Sequence, residues 1–237
     1  MKAFRLFRIF GIDVKIHWTF AFLPAFTGWL YYRDFGLEVA LRAVTLVSLV
    51  FLCVLAHELT HSFEARRFGI RVPQIVLYPI GGVASMQRIP RDPRQEFTIA
   101  IAGPLFNFAL ALVLFVPFYF LLGKEALFSP SLESWPRTFA NLFWMNPVLG
   151  LFNLVRAFPM DGGRVLRSVL ARRMSYVKAT RISVLLGYGF AIIFALVGIL
   201  YRHWMLTLIG VFIFISGSDE QRHVAFEEWM RSHEKNA

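Results

Sequence analysis

The sequence predicts an all-α polytopic membrane protein of about six transmembrane helices, with a small β-hairpin or re-entrant loop beside its polar residues. Three observations carry this fold class. The chain is 57% hydrophobic and only 17% charged, with a mean hydropathy of +0.56; soluble domains are about 45–50% apolar and about 25% charged. Apolar stretches of lipid-spanning length recur along its 237 residues. The basic residues gather in alternate connections, as the positive-inside rule requires.

Residues 1–16 carry Lys2, Arg5, Arg8 and Lys15. They lack a short apolar core followed by a small-residue cleavage site, so they read as a basic cytoplasmic segment and not as a cleaved signal. Spans are expected at about 17–32, 39–62, 97–121, 138–157, 182–200 and 204–217. The connections 63–96 and 158–181 each hold six arginines or lysines. With the N-terminal segment they account for sixteen of the 25 in the chain. The opposite side has Arg33, Lys124, Arg137 and Arg202. Both termini are therefore expected in the cytoplasm, which an even number of spans satisfies. Residues 1–217 form the membrane domain and 218–237 a cytoplasmic tail. In that tail Phe226, Trp229 and Met230 share one helical face, which suits either a short amphipathic helix on the membrane or a frayed terminus. Taken alone, the net charge of +10 suggests nucleic acid. In so apolar a chain, topology accounts for it, so the bilayer is the expected partner and nucleic acid is not. The lone Cys53 excludes an intrachain disulfide.

The polar residues break this pattern at a few places. Span 2 runs through the apolar stretch from Ala43 to Ala56 into His57-Glu58-Leu59-Thr60-His61. Positions i and i+4 share a helix face, so His57 and His61 suit one metal ion. Glu58 projects about 100° further round, within reach of a water beside that ion. Ionisable groups at the end of a lipid-length helix are costly and usually functional; two interfacial histidines and a helix-end glutamate are the plainer alternative. Catalytic zinc usually takes three protein ligands. By the charge map, spans 2 and 4 both run from outside to inside, so residues 153–163 at the cytoplasmic end of span 4 lie at the depth of His57 and His61. Asp161 is the acid at that end, followed by Gly162-Gly163. It is either the third ligand or the cap of a helix starting near Gly163. Asn153, about two turns earlier, either donates to a developing oxyanion or bridges helices.

Residues 72–86 hold two β-rich stretches flanking Pro79 and Gly81-Gly82, too short and broken to span. They read as a hairpin or re-entrant loop. Beside a zinc site, Ile75, Val76, Leu77 and Tyr78 suit pairing with an extended peptide by strand addition, or else packing alone. Gly103-Pro104-Leu105-Phe106-Asn107 interrupts span 3, where Pro104 suits a kink and Asn107 a bond to a neighbouring helix.

The runs 57–62, 78–84, 103–107 and 158–164 occur in an order that resembles the site-2 protease family of intramembrane zinc metallopeptidases. The resemblance covers about residues 8–217, and the compact form is similar to the archaeal and bacterial branch without PDZ or CBS domains. It implies one Zn²⁺ per chain held by His57, His61 and Asp161, with Glu58 as general base and Asn153 near the reacting carbonyl. It also implies a transmembrane, single-span protein substrate and a multi-pass location in a prokaryotic plasma membrane. Two positions depart from the family pattern. Thr60 stands where Gly is usual, and Arg156 where Pro is usual. A binding protein of the same fold altered at those two positions is the alternative; a proton or metal transporter is a further one, which lacks the inverted repeat expected of it.

Overall fold

A computed structural model of the chain describes residues 3–88 and 90–234. Lys2 of the basic segment and the last three residues of the expected tail lie outside the described residues. The described chain divides into two compact units. The first holds residues up to 88 together with 102–151, and the second holds 90–101 and 152–234.

The first unit starts with a sheet. Strands β1 (Ala3–Ile9) and β2 (Ile12–His17) form a hairpin. Phe10 and Gly11 close it at φ 49° and 79°, the paired positive φ values of a type I′ turn. After a 3-10 turn at Trp18–Ala21 come α1 (Phe22–Phe35) and α2 (Leu37–Arg67). The chain then returns as β3 (Gln74–Tyr78), parallel to β2, and β4 (Gly81–Ser85), antiparallel to β3. The strand order is β1-β2-β3-β4. Alternation at period two turns Ile12 and Val14 of β2 and Ile75 and Leu77 of β3 to one face. They bury against Leu55 of α2, with Leu59 packed at the edge of the cluster. The sheet is thereby fixed beside the helical turn that carries His57.

The expected hairpin over 72–86 is present as β3 and β4. The two strands before it are a correction to the expectation of a plain basic cytoplasmic segment over 1–16. Arg5, Arg8 and Lys15 interrupt the apolar alternation of that segment and conceal its strand pattern. β1 also has a register shift between Arg5 and Phe7, which spoils a strict period of two.

The other helices are α3 (Pro93–Leu122), α4 (Lys124–Phe128), α5 (Trp135–Asn153), α6 (Asp161–Ala171), α7 (Tyr176–Leu200) and α8 (Trp204–Glu234). Of the described helices, α2, α3 and α7 are long and apolar enough to cross a membrane. Large apolar side chains point outward, among them Phe120 at 78% and Leu121 at 80% exposure. Such a surface is a liability in water and the expected one in lipid. The chain is an integral membrane protein.

Most helices overrun their expected spans by a few residues, whereas α5 falls short and α8 continues far beyond. α5 stops at Asn153 and not near 157, because residues 154–157 leave the helix in a tight turn, with Val155 N–H donating to Phe152 O and Ala157 N–H to Val155 O at 2.7 Å. α8 continues without a break through residue 217 to Glu234. In the second unit, α7 and α8 approach closely through small residues. A Cβ on Gly210 would lie 2.6 Å from Ala191 O, and one on Gly198 would strike Thr207.

Candidate metal centre

His57 and His61 stand one turn apart on α2, both buried, at 4% and 3% exposure. Their Nε2 atoms lie 3.0 Å apart, and their rings meet edge to face with centroids 4.6 Å apart. Two zinc-bound imidazole nitrogens, each about 2.0–2.1 Å from the ion, sit roughly 3.3 Å apart at the tetrahedral angle. The pair is close to that spacing.

The clearance around the pair supports the fit. Gly103 of α3 faces both rings. A Cβ there would fall 2.6 Å from His57 Nε2 and against His61 Nε2. The missing side chain leaves room where the two ring nitrogens converge, and donor type, spacing and clearance all suit a borderline-soft divalent ion. From the sequence alone Gly103 belongs to a Gly-Pro kink. Its role beside the imidazoles went unrecognised, and its one sequence signal is a Gly-Pro pair inside an otherwise continuous apolar helix.

Glu58 is half-buried on the adjoining face of α2. Gly82 of β4 opposes it: a Cβ on Gly82 would lie 2.6 Å from Glu58 Cγ and 3.4 Å from its carboxyl carbon. The backbone of β4 thus runs directly past the carboxylate. Gly82 is a second residue whose role the sequence did not disclose. The Gly81-Gly82 pair was visible, but it was read as turn chemistry.

Thr60, which stands where Gly is usual in the family, turns its hydroxyl back onto its own helix. Its Oγ1 donates to Ala56 O at 2.8 Å, within its own helix. Ser62 does the same to Glu58 O at 2.8 Å. Such back-bonding satisfies the hydroxyl without an outside partner.

The substrate role expected for Ile75, Val76, Leu77 and Tyr78 requires correction. β3 lies inside the sheet, with Val76 opposite Lys15 of β2 on one side and Val83 of β4 on the other. Its backbone groups are committed to two ladders, so it offers no edge for strand addition. Ile75, Val76 and Leu77 are buried, and Tyr78 packs on His17 with centroids 5.0 Å apart. The open edge on this side of the sheet belongs to β4.

In the second unit, Asn153 ends α5 half-buried, and Asp161 opens α6 at 8% exposure. Met160 occupies the cap position, so Asp161 lies in the first turn and does not cap it. Gly162 and Gly163 are needed for close approach: a Cβ on Gly162 would strike Leu154 O and Val155 O, and one on Gly163 would lie 2.9 Å from the Ala157 carbonyl carbon. The turn after α5 and the start of α6 are thus pressed together, which fixes the backbone that presents Asp161. Arg156 is exposed in that turn, as a guanidinium reaching for a polar boundary would be.

A helical membrane protein with a buried dihistidine pair and an adjacent glutamate is the class that the fold and site define. The chain is similar over 93% of its length to a solved structure, the site-2 protease from Methanocaldococcus jannaschii. The TM-score is 0.67, identity is 34%, and 95% of that chain is covered. It is 36% identical over 229 residues to the zinc metalloprotease MJ0392 of the same organism, a match covering 95% of this chain and 62% of the relative. The model of peptidase family M50 matches residues 45–134 and 129–196. The chain belongs to peptidase family M50. It spans about three fifths of the length of the curated relatives it matches.

Proposed function

We propose that this protein is a zinc-dependent intramembrane endopeptidase that hydrolyses peptide bonds within the transmembrane segments of membrane-protein substrates. The observation that carries the reading is the pairing of His57 with His61 where Gly103 leaves room for an ion, with Glu58 held on the next helical position against β4. The ligand set of the reading is His57, His61 and Asp161, three buried side chains of metal-binding type. One zinc per chain would act as a Lewis acid and lower the pKa of water toward about 7.

The chain's own residues carry the remaining chemistry. Glu58 takes the proton from the attacking water and delivers it to the leaving amine. Asn153 donates its amide to the reacting carbonyl as negative charge develops there. Gly82 lets β4 pass close to Glu58, so an extended segment added to the open edge of β4 would bring its own carbonyls near the base. A substrate helix must unwind to expose its scissile bond, and pairing with β4 offsets the hydrogen bonds it gives up.

The membrane arrangement of the reading has six spans, formed by α1, α2, α3, α5, α7 and the first half of α8. Both termini are cytoplasmic, in the plasma membrane of a prokaryote, and the substrate is a single-span protein. It is supported by the distribution of Lys and Arg and by the apolar helices. The test is zinc content together with cleavage of a reconstituted single-span substrate, wild type against Glu58→Gln. The reading expects bound zinc in both and cleavage in wild type alone. Cleavage by Glu58→Gln would remove the base from the account, and zinc-free wild-type protein would favour a non-catalytic binding protein.

A further inference from the structure

Arg167 is fully buried in the second unit, at 0% exposure. It lies on α6, six residues beyond Asp161. Its Nε donates to Glu96 Oε1 at 2.8 Å, its Nη2 bonds the same oxygen, and its Nη1 bonds Glu220 Oε1. Glu96 is itself buried at 2% exposure in the first turn of α3, and Glu220 belongs to α8. The guanidinium also lies over two rings, 4.8 Å from the centroid of Phe158 and 4.7 Å from that of Tyr176. Tyr176 is shared with a second cation, since Arg91 lies 5.4 Å from the same ring and donates to Glu227 at 2.8 Å and Glu228 at 2.6 Å.

The expense of this arrangement makes it informative. Replacing a buried ion pair by apolar side chains of similar volume is often neutral or stabilising, so stability alone is a poor reason to keep one. A planar, forked cation fixes direction, which an apolar contact does not. The elements it fixes surround one residue. Phe158 is three positions before Asp161, and Arg167 is six after it. α6 is a short helix whose rotation turns every side chain on it by the same angle.

We propose that Arg167 is a positioning residue for Asp161. By holding α6 against Glu96, Glu220 and the Phe158 ring, it sets the rotation of the helix and hence the direction of the Asp161 carboxylate. The inference rests on the reading of Asp161 as a zinc ligand. A group hydrogen-bonded directly to a metal ligand typically contributes about 10–100-fold in metal affinity or activity. Arg167 acts through the helix and not by bonding Asp161, so Arg167→Met should weaken zinc binding by no more than the low end of that range, about 10-fold.

The test measures zinc affinity by chelator competition, along with kcat, KM and thermal unfolding, on the full chain in detergent or nanodiscs. Arg167→Met is expected to lower zinc affinity and kcat while KM stays near wild type. Because it also strands the buried Glu96 carboxylate, the unfolding temperature should fall. Arg167→Met/Glu96→Gln, which neutralises that carboxylate, should regain unfolding temperature but not zinc affinity. Arg167→Lys, which keeps the charge without the fork, should recover part of the loss. Asp161→Asn is the control for the underlying reading. If Asp161→Asn weakens zinc binding and Arg167→Met does not, the positioning role is overturned and the ligand reading stands. If Asp161→Asn leaves zinc affinity unchanged, the ligand reading fails and the inference with it. Should Arg167→Met fail to fold, Phe158→Leu removes the ring under the guanidinium and must lower zinc affinity in the same direction; unchanged affinity there overturns the proposal.

Discussion

The two units of the molecule prepare their polar residues by opposite means. In the first, room is made by leaving side chains out. Gly103 clears the space where the imidazole nitrogens of His57 and His61 converge, and Gly82 lets a strand pass against Glu58. In the second, direction is fixed by adding charge, with Arg167 locked between two glutamates and two aromatic rings. The difference teaches that a site inside a membrane protein can be shaped by subtraction where a ligand or backbone must fit. It can be aimed by a satisfied ionic cluster where a helix must hold one rotation. Each device has its own signature of failure. Filling a glycine produces a local steric effect, whereas removing the arginine frees the helix to turn and leaves a buried glutamate without its cation.

The largest effect is expected at Gly103. Gly103→Ala places a methyl group among the imidazole nitrogens, and overpacking of this kind typically costs about 1–3 kcal/mol. Zinc affinity should fall by about 10- to 100-fold, with activity falling alongside it, as a chelator titration would show. Retained zinc would mean that the imidazoles occupy another arrangement. Next comes Gly82→Ala, which crowds Glu58 and spares the histidines. Here zinc content should stay at wild-type level while kcat drops by roughly 10-fold, well short of the 10²–10⁴-fold a general base typically contributes, because the carboxylate is displaced and not removed. Parallel loss of zinc in this variant would blur the distinction between the two glycines.

A smaller effect is expected along the open edge of β4. Alternate residues of an edge strand turn their N–H groups outward. Proline at Val83 or at Ala84 therefore removes one outward donor in one of the two variants, a change that edge strands tolerate. That variant should raise KM for a model substrate by roughly 2- to 10-fold, the worth of one net hydrogen bond. If neither changes KM, substrate does not pair with β4.

The smallest effect belongs to the second unit's outer ion pairs. The Arg91 hydrogen bond holds the Glu227 carboxyl below the ordinary carboxylate range. A lowered folded-state pKa contributes stability that is present above the unfolded value, and that is lost as pH falls through the folded one. The end of α8 should therefore lose hydrogen-exchange protection only as pH drops below about 4.5. Because the pair is partly exposed, the change should stay under about 1 kcal/mol. Arg91→Ala should weaken that pH dependence, leaving the smaller part owed to His223 and Arg231.

Much of this was legible in the sequence, for identifiable reasons. His57, Glu58 and His61 are local, lying within one helix whose period alone brings two imidazoles to one face. The apolar lengths announced the helices, and Pro79 with Gly81 and Gly82 announced the β3–β4 hairpin. Residues whose meaning lies in a distant partner were not legible. Gly103 reads as a kink until His57 and His61 are opposite it. Val76 reads as an edge strand until β2 is found beside it, and β2 was hidden by the basic residues of its hairpin. Arg167 counted only toward the positive charge of its connection, although its partners Glu96 and Glu220 lie 71 and 53 residues away.

The most direct test of the central claim is zinc-loaded Glu58→Gln beside wild type on a reconstituted single-span substrate. The account predicts equal zinc content, with cleavage by wild type and none above background by the variant. Cleavage by Glu58→Gln at a rate near wild type, with zinc in place, would contradict it.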